Sequence, residues 1–168
     1  MKTELVAVKL EEKEILRNLL EKYLYEFSQY CDETLDSQGL IGYKYLDNYW
    51  QEEKRWPFFI KVDGKLAGFV LINDFPESGL VTDFTLAEFF VIYKYRREGI
   101  GSWVVGEIFK RFRGTWQLKY HPKNIISEAF WTKVVAAADS DFQLRTDLEE
   151  AMYDLNTQGQ VLIFRTNN

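Results

Sequence analysis

"EFFVIYKYRREGIGSWVV", residues 88–105, is the stretch on which the reading of this chain turns. It passes from an apolar, strand-like run through Arg96-Arg97-Glu98 to two glycines spaced as Gly99-Ile100-Gly101, and an amphipathic helical pattern begins at once. Neither arginine nor glycine packs a core, so their place at a strand-to-helix junction needs another cause. The first turn of a helix leaves backbone N–H groups unpaired, and the aligned peptide dipoles add partial positive charge there. Glycines at that point take positive φ and let a ligand approach the backbone closely. Together these features make a phosphate cradle, with Arg96 and Arg97 adding charge beside it. The structural alternative is a tight turn with solvated arginines. A dinucleotide-binding loop would place a third glycine where Val104 stands, and the Gly-Lys-Ser/Thr of a P-loop occurs nowhere.

Outward from this junction the pattern is strand or helix almost throughout. "ELVAVKL" (4–10) alternates like a strand, and residues 11–30 place Leu16, Leu19, Leu20, Tyr23 and Phe27 on one helical stripe. "GYKYLDNYW" (42–50) predicts a short aromatic helix. "FFIKVDGKLAGFVLI" (58–72) predicts a hairpin, because Asp63-Gly64 supplies the positive-φ pair of a type I′ turn. "TLAEFFVIY" (85–93) is the next strand, and a helix over 101–113 turns Val104, Val105, Ile108, Phe109 and Phe112 inward. "WQLKY" (116–120), a helix over 125–137, "FQLRTD" (142–147) and "QVLIFRT" (160–166) complete the order β-α-α-β-β-β-α-β-α-β-β. One β-α-β crossover inside a mostly antiparallel sheet predicts an α/β (α+β) fold with helices on both faces.

With 168 residues, no internal repeat and no Pro/Gly/Ser-rich linker, the expectation is one domain over 1–168. A net charge of −5 and a pI near 5.1 argue against a nucleic-acid partner, whose phosphates want a basic face. Cys31 is the sole cysteine and His121 the sole histidine, which excludes an intramolecular disulfide and leaves no cluster for a metal. No apolar run approaches the ~20 residues of a membrane span, and "MKTELVAVKLEEKE" lacks the apolar core of a signal peptide. A soluble, cytoplasmic protein without a membrane partner is expected.

The stretch "VIYKYRREGIG" resembles the acetyl-CoA signature of the GNAT N-acetyltransferase superfamily: arginine or glutamine, two variable residues, glycine, any residue, then glycine or alanine. Arg96, Gly99 and Gly101 match those positions, Val91 the usual strand valine, and Tyr95 the frequent aromatic before the arginine. A second motif follows the next strand, where Asn124 and Ser127 match an asparagine and a small residue three on. Trp131 departs from it, standing where the family often has tyrosine, and Glu98 departs from a frequent basic residue. "YLYEFSQY", "GYKYLDNYW" and "FW" at 130–131 resemble a poorly characterised bacterial subgroup. The resemblance implies the GNAT fold, with strands splayed at the acetyl-CoA site. It implies contacts to that co-substrate from Phe90, Val91, Arg96, Arg97, Glu98, Gly99, Ile100, Gly101, Ser102, Asn124, Ser127 and Trp131, and no metal. Loop amides would bind the CoA pyrophosphate, and strand backbone around Val91 the pantetheine arm. A homodimer is common in the family, so a monomer or homodimer is expected.

The activity so implied is acetyl transfer to a primary amine, on a small molecule or a peptide. An amine of pKa ~10.4 is neutral in about one molecule in 2,500 at pH 7, a deficit of roughly 4.6 kcal/mol. A general base contributes ~10²- to 10⁴-fold, comparable with that gap. Glu88, an isolated carboxylate in an apolar strand, is the first choice for base or amine anchor, and Asp83, read as one strand earlier in register, is the second. The bland reading of Glu88 is a carboxylate that faces solvent or forms an internal ion pair. Trp131 has no proton to give the leaving thiolate, which leaves Tyr120, another nearby tyrosine, or departure without an acid. The acceptor pocket is expected among Tyr25, Phe27, Tyr43, Tyr45, Tyr49 and Trp50, with cation–π attraction for an amine. The reading from another class is a non-catalytic acyl-CoA-binding or sensing module.

Overall fold

Asp63 and Gly64 turn the chain with φ of 47° and 75°, and the strands on either side pair antiparallel as their turn chemistry requires. In the computed structural model, which describes residues 1–167, the elements are β1 (Thr3–Ala7), α1 (Lys13–Phe27), α2 (Asn48–Gln51), β2 (Arg55–Val62), β3 (Lys65–Asn73), β4 (Phe84–Val91), α3 (Ile100–Arg111), β5 (Gly114–Tyr120), α4 (Ile125–Ala138), β6 (Gln143–Arg145), β7 (Met152–Asp154), β8 (Thr157–Gln158) and β9 (Gln160–Thr166). Seven strands form one sheet in the order β1-β2-β3-β4-β5-β9-β6, in which β4 and β5 pair parallel and the other neighbours antiparallel. No helix among the described residues is long and apolar enough to cross a membrane.

Alternation along the central strands splits the core into two layers. Ile60, Val70, Ile72 and Trp116 meet Val104 and Ile108 of α3 and Trp131 and Val135 of α4. Phe59, Phe69 and Leu71 meet Leu16, Leu19 and Leu20 of α1 and Tyr49 of α2. Each fully buried aliphatic or aromatic side chain here contributes about 1.5–3 kcal/mol of hydrophobic stabilisation.

Two irregularities position the site. Leu71 pairs with Glu88 but Ile72 with Leu86, so Ala87 is an extra residue, a β-bulge. Before it the even-numbered Phe84 and Leu86 belong to the α3/α4 layer; after it the odd-numbered Phe89 and Val91 do. The bulge thereby hands Glu88 and Phe90 to the α1 side. The second irregularity is the early end of the β4–β5 pairing. It runs only from Phe84↔Trp116 to Leu86↔Leu118, although β4 continues to Val91 and β5 to Tyr120. Beyond Leu86 the strands splay.

Two expectations need correction. The helix expected over 42–50 shrinks to Asn48–Gln51, because Gly39 and Gly42 take φ of 78° and 85° and the Glu21 carboxylate binds the N–H groups of Ile41 and Gly42 at 2.9 and 2.7 Å. The β7–β8 hairpin has no counterpart in the sequence reading: its strands are three and two residues long, too short to show a period.

Candidate active site

Between the splayed strands, α1 and the β7–β8 hairpin lies a cavity of about 200 Å³ lined by Tyr23, Phe27, Glu88, Lys119, Trp131 and Tyr153, among others. Glu88 is brought there by the bulge. The Tyr43 hydroxyl donates to its Oε1 at 3.2 Å, and the Tyr23 hydroxyl lies within reach of the same carboxylate. Burial pushes the Glu88 carboxyl up to about 7, overriding the two tyrosine hydrogen bonds that favour its ionised form. Burial also raises the hydroxyls of Tyr23, Tyr43 and Tyr153, so these side chains act as neutral donors.

Asp83, the other candidate carboxylate, is not in the cavity lining. It accepts from the Thr115 N–H at 2.8 Å and the Thr115 hydroxyl at 2.9 Å, and its own N–H donates back to that hydroxyl at 3.0 Å. These bonds, the backbone one foremost, hold its pKa low and pin the closed end of the β4–β5 pair. Tyr120 lines the cavity, with its hydroxyl donating to Gln160 Oε1 at 3.3 Å. His121 is buried; its Nδ1 accepts from the Lys123 N–H at 3.1 Å, while Nε2 has no partner among the described residues.

At the glycine junction, Gly99 caps α3 with φ 77°, and the Trp103 N–H to Gly99 carbonyl bond at 3.0 Å opens the helix. The N–H groups of Ile100, Gly101 and Ser102 therefore precede the first intrahelical donor and have no acceptor within the helix. A Cβ at Gly99 would meet open space, whereas one at Gly101 would stand 3.2 Å from Phe130 Cε2. Gly99 thus keeps the surface accessible and Gly101 lets α4 pack close. A valine at Gly101 would disturb that contact as well as the loop.

Arg96 departs from its expected role. Its guanidinium forks onto the Glu26 carboxylate at 2.7 and 2.8 Å, its Nε donates to the Val91 carbonyl at 2.6 Å, and its carbon lies 4.1 Å from the Tyr93 ring centre. It bolts α1 to the loop instead of offering free charge to phosphate. Arg97, with φ 64°, and Glu98 are exposed, as is Ser102. The side chains of Phe90, Val91 and Ile100 are buried, so these residues present only backbone to a ligand. Asn124 caps α4 by accepting the Ser127 N–H at 3.1 Å, which accounts for their spacing. Trp131 packs 5.2 Å from Phe89 and 4.8 Å from Phe130.

Of the aromatic residues expected around the acceptor, Phe27 lines the cavity and Tyr43 binds Glu88. Tyr49 is core, Trp50 donates to the Val8 carbonyl at 3.3 Å, and Tyr25 and Tyr45 are exposed. Sequence reasoning missed Lys119, Glu77 and Tyr153. The Lys119 ammonium lies 3.0 Å from the Glu77 carboxylate and 4.5 Å from the centre of the Tyr153 ring. Nothing in the spacing of these three residues signals that they meet.

The profile of the Acetyltransferase (GNAT) family matches residues 14–135, and the chain belongs to that family. It is by that membership an N-acetyltransferase that uses acetyl-CoA. Solved structures agree in fold. An acetyltransferase from Thermus thermophilus has a TM-score of 0.67 at 13% identity, over 98% of this chain and 97% of that one. Ard1 from Thermoplasma volcanium has a TM-score of 0.65 at 16% identity over 100% of both chains. The paia N-acetyltransferase from Thermoplasma acidophilum, in complex with coenzyme A, has a TM-score of 0.60 at 13% identity, over 99% and 100%. No curated protein sequence matches the chain. The residues fit acetyl-CoA: the α3 amides lead an open glycine turn, and β4 beyond Leu86 has no strand partner on its β5 side.

Proposed function

We propose that the protein acetylates a primary amine by direct transfer, with Glu88 as the base that receives the amine's proton. The observation that supports this is the Ala87 bulge, which turns Glu88 into the cavity at the point where β4 and β5 part. A carboxyl pushed up to about 7 is well matched to that task, because a base works best with its pKa near the working pH. Tyr23 and Tyr43 hold the carboxylate in place. Backbone N–H groups of β4 after Leu86 face the region where negative charge develops on the acetyl oxygen, an oxyanion-type arrangement. The co-substrate brings a thioester whose thiol, with a pKa of about 8.5, leaves readily as thiolate. Tyr120 is the neighbouring hydroxyl that returns a proton to it. The loop from Arg97 to Ser102 holds the pyrophosphate through its amides, with Arg96 fixing the loop's position.

The second reading, an acyl-CoA-binding module without turnover, draws on Trp131 at the family's tyrosine position. Thiol release separates the two. With acetyl-CoA and an amine panel, the transfer reading expects free CoA in proportion to acceptor, and a ~10- to 10⁴-fold loss in kcat/KM for Glu88→Gln at unchanged CoA affinity. CoA binding without thiol release for any amine would establish the binding module instead.

A further inference from the structure

Residues 28–47 join α1 to α2 and form neither helix nor strand. Residues 32–40 within them are exposed, so no apolar burial holds that part of the chain down. It closes on itself instead. The Asp36 carboxylate accepts the N–H groups of Gln38 and Leu40 at 2.8 and 2.9 Å, and the Asp36 N–H donates to the Leu40 carbonyl at 2.8 Å. Among the described residues, the hydrogen bonds that tie residues 31–42 to the rest of the chain both end on Glu21 of α1. Glu21 Oε2 accepts the Ile41 N–H at 2.9 Å, and Oε1 accepts the Gly42 N–H at 2.7 Å. Bonds of this kind, amide to carboxylate, are the stronger ones.

Gly42 turns the chain with φ 85°, and the next residue is Tyr43. Its ring packs against the α1-side core, and its hydroxyl donates to Glu88 Oε1 at 3.2 Å. The next buried side chain along the chain is Leu46. Tyr43 is therefore held from two sides, by Leu46 after it and by the Glu21 bonds before it. Ordering a long exposed segment costs conformational entropy, and here a single carboxylate offsets it.

We propose that Glu21 is a positioning residue for Glu88: it latches residues 31–42 onto α1 and so keeps the Tyr43 ring and hydroxyl over the Glu88 carboxylate. Its bearing on catalysis rests on the reading of Glu88 as the base. Tyr43 acts on that carboxylate in two opposed ways. The hydroxyl favours the ionised form, whereas the ring keeps water out and favours the neutral acid. Burial is the larger influence on Glu88. Opening the latch admits water and moves the Glu88 midpoint down. Removing the hydroxyl alone leaves the ring in place and moves the midpoint up.

The other groups around Glu88 sit on elements that the latch does not hold. Tyr23 belongs to α1, Tyr49 to α2 and Tyr153 to β7, while Glu77 of the β3–β4 connection pairs with Lys119 of β5. His121, after β5, is fixed by the Lys123 N–H. Glu33 is the one carboxylate of the cavity lining that would leave with the segment. Its loss also lowers the midpoint, so it does not change the sign.

The test is an NMR titration of the Glu88 carboxyl in the full chain, carried out without ligand. Glutamate is isotope-labelled at the side-chain carboxyl, and the signal is assigned by its loss in Glu88→Gln. The wild-type midpoint is expected at about 7. Glu21→Ala should lower it by about one pH unit or more. Glu21→Gln keeps one acceptor oxygen and should move it the same way by less; it also supplies a folded sample should the alanine variant not fold. Tyr43→Phe should raise it. Melting curves report which variants are folded. A latch that merely stabilises the fold would lower the melting temperature and leave the midpoint alone. An unmoved or raised midpoint in the folded Glu21 variants overturns the proposal, as does a Tyr43→Phe midpoint that fails to rise. The pH profile of kcat/KM, taken with the amine that releases thiol, separates this from the role of Glu88 as base. A midpoint that falls in Glu21→Ala while the rising limb stays put upholds the latch and removes Glu88 as the base. A limb that vanishes in Glu88→Gln, beside a midpoint indifferent to Glu21, does the reverse.

Discussion

Glu88 illustrates how one residue's setting creates chemistry and instability together. A carboxyl raised to about 7 in the fold, from an ordinary value near 4.5, binds its proton more tightly folded than unfolded. Stability therefore falls as pH rises between those values, and the whole penalty is present above about 7. Glu88→Gln should consequently raise the melting temperature at pH 8 by the equivalent of about 1–3 kcal/mol, and leave it unchanged at pH 4. Activity has the opposite sign. The wild-type kcat/KM should gain a limb rising through about pH 7 as Glu88 ionises, and that limb should vanish in the variant; its persistence would remove Glu88 from the role of base. Trp131 is a packing residue by its surroundings, buried edge-on against the stacked pair Phe89 and Phe130. Trp131→Phe should keep most of kcat, whereas Trp131→Ala should lose ~3–5 kcal/mol by thermal or denaturant unfolding. A folded but inactive Phe variant would return the indole to the chemistry.

Among the elements, the β3–β4 pair and the loop before α3 carry the site. Gly68 of β3 lies so close to β4 that an added Cβ would stand 1.9 Å from the Phe90 carbonyl oxygen. Backbone has to move to admit it. Gly68→Ala should cost about 3 kcal/mol or more and, by shifting β4, lower turnover even where the protein remains folded; unfolding curves and kcat on the same sample test this. The loop depends on Arg96, whose bidentate bond to Glu26 is half-buried. Arg96→Ala should reduce stability by about 1–2 kcal/mol and weaken CoA binding through loss of loop position. Lysine, a single point donor, should not restore either property, because it cannot make the planar fork. A lysine variant with wild-type CoA affinity by calorimetry would show that charge alone suffices. The motif positions were legible along the chain, but the arginine's partner was not: Glu26 lies 70 residues upstream, and spacing holds no information about a contact of that kind.

For the molecule as a whole, ligand linkage gives the most direct reading. A co-substrate that binds only the folded state adds about 2.7 kcal/mol at a hundred times its Kd, and a chain of this size gains roughly 2–4 °C for each kcal/mol. Acetyl-CoA should thus raise the melting temperature by about 5–10 °C under those conditions, whereas acetate should not. No shift at any concentration would mean that the splayed strands and glycine turn do not hold it.

The sequence by itself determined the order of elements apart from the β7–β8 hairpin, the Asp63-Gly64 turn and the glycine junction before α3, because period, turn chemistry and capping act between near neighbours. It also carried the family motif, and the Asn124–Ser127 spacing within it is a helix cap, itself a local bond. The tertiary structure alone decided which way Glu88 faces. Strict alternation along "TLAEFFV" would leave Glu88 on the same side as Leu86, in the α3/α4 core; the Ala87 bulge reverses it toward α1. Register depends on how β3 pairs with β4, and that pairing depends on the packing of both faces at once. The meeting of Lys119, Glu77 and Tyr153 has the same origin. Separate stretches of chain converge only because the sheet brings β5 beside the β3–β4 connection and folds the β7–β8 hairpin over them.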